Sequence, residues 1–207
     1  MSVYAQNKLY KICGTFILGI EILSLPRTED YRPIFSCYPL WKPRIKQCFE
    51  EPVFIQEIYN KKGFQFNIPY TKHVTFFQEA VECIKKQAPI LVQQNVSLKQ
   101  LFEVFDKQFS QTLIKSSPVG QAKLFEGKLL SALYVNDINT SEQVLAEINK
   151  ASMSWTADLF EWKYGKLDVW LQSLQATITN SEEFFKQIEA NRQDKKIEKL
   201  QSSRLTA

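Results

Sequence analysis

Proline divides this chain into two unlike parts. Six of the eight prolines, Pro26, Pro33, Pro39, Pro43, Pro52 and Pro69, fall before residue 70. Proline lacks the amide hydrogen and clashes with the preceding turn, so no long helix runs through that region. After residue 70 the apolar residues recur in longer segments with helical spacing. The expected fold class is therefore α+β and mostly α: a small N-terminal β-hairpin or sheet region, then an array of about six helices. A chain of 207 residues fits one domain, divided into an α/β part over 1–70, a helical part over 71–188 and a polar tail over 189–207. At this length it buries a full core without staples.

Within the first part, Val53 to Ile68 carries the clearest hairpin signal. Two β-rich runs flank Asn60-Lys61-Lys62-Gly63, and Phe64, Phe66 and Ile68 alternate with Gln65 and Asn67. The stretch from Leu9 to Leu23 fits two templates. Its apolar residues recur at helical spacing, yet Leu18, Ile20 and Ile22 alternate with Gly19 and Glu21. The reading adopted is helix to about Cys13 and strand from Phe16. Ile12 to Leu25 is too short to span a bilayer, which takes about 20 apolar residues. With Glu21 inside it, it reads as core.

Helices are expected from about Thr75 to Gln87, from an Ser97 N-cap with Gln100 in the capping-box position, and from Gln121 to Val135. A short helix capped by Thr140 or Ser141 follows, then a longer one from Ser154 to about Ile178. Trp155 and Trp162, seven apart, would share a face of the longer helix, with Trp170 further along it. The last helix begins at Asn180 or Ser181. It loses its apolar stripe after Ile188, so residues 189–207 are expected to fray into a solvated tail.

The inventory of reactive residues is thin. One histidine, His73, leaves no zinc motif, and the six glycines form no phosphate-binding fingerprint. No metal or cofactor is expected, and the chain is read as not an enzyme. The best enzymatic alternative pairs Cys37 or Cys48 with His73, oriented by Asn95 or Asp106. The four cysteines have no short spacing and read as reduced buried thiols, which points to the cytoplasm. Glu50/Glu51 and Glu182/Glu183 are sequence neighbours, which diverge in a helix or strand and so share a proton poorly.

Net charge is +4, and all of the excess lies in the first 72 residues. That segment contains a basic-aromatic cluster, Tyr31, Arg32, Tyr38, Trp41, Lys42, Arg44 and Lys46. Tryptophan, tyrosine and arginine are enriched at protein-binding hot spots. The same residue types can stack bases and hold phosphates, which keeps a nucleic-acid-associated protein as an alternative. The imbalance is modest for such a binder.

In the helical half, Gly127-Lys128-Leu129-Leu130-Ser131-Ala132-Leu133, Asn136-Asp137 and Glu142-Gln143-Val144-Leu145 give a helix, a polar turn and a second helix; FEWKYGKLDVWLQSL extends the layout. With the small N-terminal α/β region, this resembles the bacterial immunity proteins that neutralise polymorphic or type VI secreted toxins. The resemblance spans the last two-thirds of the chain and transfers no binding residue. It implies a cytoplasmic, non-enzymatic inhibitor that binds one cognate toxin domain and occludes it, with no membrane partner. An acidic patch at Asp158, Glu161 and Asp168 would suit a basic nuclease target. The expected partner-binding residues are thus Tyr31, Arg32, Trp41 and Arg44 on one side, and Asp158, Glu161 and Asp168 on the other.

Overall fold

Strand β3 (Phe16–Ser24) explains most of the architecture, because its first five residues are buried on both faces. The computed structural model describes residues 1–207, and in it β3 lies between β2 (Lys8–Cys13) and β4 (Asp30–Pro39), antiparallel to both. β1 (Ser2–Ala5) extends this meander on the outer edge of β2. On one face Cys13, Phe16, Leu18, Ile20, Phe35 and Cys37 join one core; on the other Tyr10, Ile12, Ile17 and Tyr38 join a second. A strand covered on both sides reads as a continuous apolar run rather than an alternation. That run mimicked helical spacing between Leu9 and Cys13, so the expected helix there is a strand.

The chain then forms α1 (Ile45–Glu50), β5 (Phe54–Glu57) and β6 (Ile68–Pro69), the last two pairing in turn with the outer edge of β4. The expected hairpin closes where its turn residues said. Asn60 N–H donates to the Phe64 carbonyl and Phe66 N–H to that of Ile58. Its return arm is not a full strand, however, and Phe64 is left exposed while Phe66 and Ile68 enter the core.

The helical part comprises α2 (His73–Gln87), α3 (Leu98–Phe109), short α4 (Thr112–Lys115), α5 (Pro118–Tyr134), α6 (Ile138–Ser152), α7 (Ala157–Tyr164), α8 (Leu167–Thr179) and α9 (Glu182–Arg192). The fold is α+β and mostly α, with more and shorter helices than the six expected. Ser97 caps α3 in a complete capping box with Gln100. α2 and α3 cover the Phe16 face of the sheet, and α6 to α9 cover the Tyr10 face. α5 serves both cores, through Leu124 on one side and Phe125, Leu129 and Leu133 on the other, which accounts for its apolar residues all round. No helix is long and apolar enough to cross a membrane.

Two expectations are corrected here. The single long helix from Ser154 is broken at Gly165, whose φ of 73° suits glycine and ends α7. Trp155 precedes α7 rather than lying on it, so Trp155 and Trp162 do not share a face. Trp155 packs against Phe160 and Trp170, while Trp162 is 72% exposed.

The larger correction concerns the C-terminus. Residues 189–207 do not fray: Ile197 is fully buried, and Ser202–Thr206 form β8. This strand lies between β2 and β7 (Asn95–Ser97) and runs parallel to both, giving the order β5-β4-β3-β2-β8-β7. The polar composition misled because a five-residue strand hydrogen-bonded on both edges is held through its backbone. Only Ser203 and Leu205 of β8 point inward.

Candidate functional site

A polar cleft of about 330 Å³ opens where α1, α5 and α7 converge. The loop after β4 contributes Trp41 and Lys42, the end of α1 contributes Glu50 and Glu51, α5 contributes Lys123 and Glu126, and the end of α7 contributes Lys163 and Tyr164. α5 presents Lys123 and Glu126 together because residues three apart lie on one face of a helix. The Gly165 break ends α7 just after Lys163 and Tyr164, which places both side chains at the rim.

Glu51 bridges two lysines. It is paired with Lys163, and its other oxygen lies 3.7 Å from Lys123 Nζ. The Lys163 contact leads the influences that hold the Glu51 carboxyl below its ordinary range. Glu126 behaves in the opposite way. Burial raises its pKa, and Lys42, 3.9 Å away, together with the Trp41 indole only partly opposes the rise. Burial likewise lowers the pKa of Lys123 and raises that of Tyr164. The Trp41 indole N–H is buried beside the Glu126 carboxyl without a hydrogen bond of normal length. The cleft thus gathers three ammonium groups and three carboxyl groups, of which Glu51 and Glu126 have opposed pKa shifts, beside the Trp41 indole.

The cleft unites part of what the sequence proposed as a binding surface. Trp41 lines it, packed edge-on against Phe16 at 5.4 Å, and Glu161 and Asp158 sit on the helix that supplies its far wall. The remaining residues are elsewhere. Tyr31 is buried at the far end of β4, its hydroxyl 2.6 Å from His73 Nδ1. Arg32 is engaged by Glu57 and by Asn67 Oδ1. Arg44 stands exposed before α1, and Asp168 is in the first turn of α8. With Tyr31 and Tyr38 both buried, the 31–46 segment offers no continuous face for stacking bases.

The proposed Cys–His pair is not assembled. His73 is engaged by Tyr31, and Cys37 and Cys48 are buried with thiol pKa values raised by burial, to about 11 for Cys48. A protonated thiol is a poor nucleophile. No three His, Cys, Asp or Glu side chains come together in metal-holding geometry. Sequence reading set Glu51 aside as one of two neighbouring glutamates and passed over Lys123, Glu126 and Lys163, which no local motif announces.

A second feature lies on the α7–α8 elbow. Leu159 and Trp162, three apart on α7, are 52% and 72% exposed, and Val169 on α8 is 59% exposed. Beneath them Phe160 stacks on Tyr164 with ring centroids 5.1 Å apart and meets Trp170 at 5.2 Å, which anchors the short helix. No family model, no curated protein and no solved structure matches this chain.

Proposed function

We propose that the protein is a non-enzymatic protein-binding module, and within that class an immunity-type inhibitor that neutralises a cognate toxin domain by covering it. The observation that carries the reading is Trp162, exposed beside Leu159 on a helix anchored from below by Phe160. Tryptophan is among the side chains enriched at the energetic centres of protein interfaces. Its setting narrows the partner's chemistry. Lys166 is bonded to Glu161 at 2.8 Å and Lys163 is paired with Glu51, so Asp158 and Asp168 remain as unpaired charges around the apolar residues. An acidic rim of this kind suits a partner with a basic face, as a nuclease toxin would have.

The test is capture with wild-type and Trp162→Ser baits from cells carrying candidate toxin genes, followed by growth rescue. The expected result is one toxin domain recovered in equal amount with the wild-type bait, rescue by the wild-type gene, and loss of both with Trp162→Ser. Rescue that survives Trp162→Ser and Leu159→Ser together would remove the elbow from the reading, and absence of any toxin partner would remove the reading itself.

A further inference from the structure

We propose that the pocket between β2, the start of β8 and the segment before β7 binds a small carboxylic acid, whose carboxylate pairs with Lys11. This site shares no residue with the α7–α8 docking face and does not depend on it. What points to it is a buried cation without a counter-charge. Lys11 is 3% exposed and lines the pocket, yet it forms no ion pair. An ammonium carries three N–H donors. Lys11 places two of them, on the Gln93 carbonyl at 2.8 Å and on Ser203 Oγ at 2.6 Å, and both acceptors are neutral. Removing a charge from water is costly unless an opposite charge accompanies it. None of the nine residues lining the pocket is acidic, so the chain itself does not supply one.

A second, independent vacancy lies in the same pocket. Gln93 Oε1 is enclosed without a hydrogen-bond donor, whereas buried acceptors are normally satisfied. The Gln93 carbonyl also accepts from Ser203 Oγ at 2.6 Å, so residue 93 is held in place beside Lys11. A carboxylic acid with a neighbouring hydroxyl meets both needs: the carboxylate takes the third Lys11 donor, and the hydroxyl donates to Gln93 Oε1. One ammonium with no guanidinium fork suits a monoanion better than a phosphate dianion. The volume, about 280 Å³, lies at the lower bound of small-molecule sites, and Leu91 and Val92 give a short apolar wall. Both limit the acid to a few carbons.

The test uses the full-length protein labelled with 15N, titrated at constant ionic strength with glycolate. The reporter is the Lys11 ammonium signal, assigned by its absence in Lys11→Met. It should move saturably with glycolate. Gln93→Met should weaken binding about tenfold, and Ser203→Ala should tighten it about threefold, because a second Lys11 donor becomes free for the ligand. That gain is not expected if Lys11 serves only to fasten the strands. Glycolate should also raise the urea midpoint of the wild type and leave that of Lys11→Met unchanged, since a ligand stabilises only the fold that binds it. No saturable shift, the same shift with potassium chloride, or affinity indifferent to both Gln93→Met and Ser203→Ala overturns the proposal.

Discussion

Lys11 Nζ donates to Ser203 Oγ at 2.6 Å, joining two residues 192 positions apart. Lys11 is 3% exposed and has no carboxylate partner; it also donates to the Gln93 carbonyl at 2.8 Å. Burial lowers its pKa, with Cys13 slightly opposing. The ammonium therefore fastens β8 to β2 and to the segment before β7 at a single point. Ser203→Val should cost about 2–3 kcal/mol, because it leaves a buried charge with one acceptor fewer. In a Lys11→Met background the same change should cost much less, and the difference, read from urea unfolding of all four proteins, is the coupling.

β8 is an internal strand of the sheet, between β2 and the edge strand β7. Removing residues 202–207 would strip β2 and β7 of a shared partner and uncover Val96, now fully buried. Two unpaired strand edges invite association with other chains. The truncated protein should lose its cooperative thermal transition and elute as aggregates on gel filtration, whereas removing Ala207 alone should change neither.

Gly19 lies opposite Tyr10 in the β2–β3 ladder, and the tyrosine ring lies over it. A Cβ at position 19 would stand 2.0 Å from a Tyr10 ring carbon and 2.6 Å from the Leu9 carbonyl oxygen. Tyr10 cannot move aside, since Tyr4, Tyr38 and Phe49 surround its ring. Gly19→Ala should destabilise by about 3 kcal/mol or more, the upper range for overpacking. Gly63→Ala, with open space around its Cβ and only backbone strain to oppose it, should cost less in the same urea titration.

How much of this was legible depended on how local the physics was. Ser97 and Gln100 announced their helix because a capping box is complete within four residues. The start of α6 was misplaced by a few residues: Asp137, not Thr140 or Ser141, accepts from the Thr140 amide. The sheet was underestimated because two of its eight strands are not signalled locally. β7 has three residues and β8 has five, and their partners, β8 for β7 and both β2 and β7 for β8, lie far away in sequence. The cleft was invisible for the same reason. Nothing near Glu51, Glu126 or Lys163 in sequence marks them, and only the fold brings Lys163 to Glu51 across 112 residues. Trp41 was singled out correctly as a residue of interest, but for a cluster whose members the sheet separates.

Two glutamates on the molecule should answer the same substitution with opposite signs. For Glu21, burial raises the pKa, but hydrogen bonds from Tyr38 at 2.7 Å and Tyr10 at 2.9 Å, with Lys8 at 3.1 Å, more than offset it and leave it lowered. A lowered folded pKa means that the unfolded chain binds more protons in the window below the ordinary value of 4.5. The stabilisation from Glu21 is therefore complete above that pH and is lost as pH falls through the lower folded value. Glu21→Gln should destabilise at pH 7 by about 1–3 kcal/mol and flatten the acid limb of the stability curve. For Glu126 the folded pKa is raised, so burial disfavours its charged form in the folded state. As pH falls through that raised value the folded form takes up the proton first, and stability rises. Glu126→Gln, which imitates the protonated form, should therefore stabilise at pH 7 and lose its advantage toward pH 4. Urea midpoints of the two variants from pH 4 to pH 7 decide the matter: curves of the same sign would mean that the two environments are not opposed.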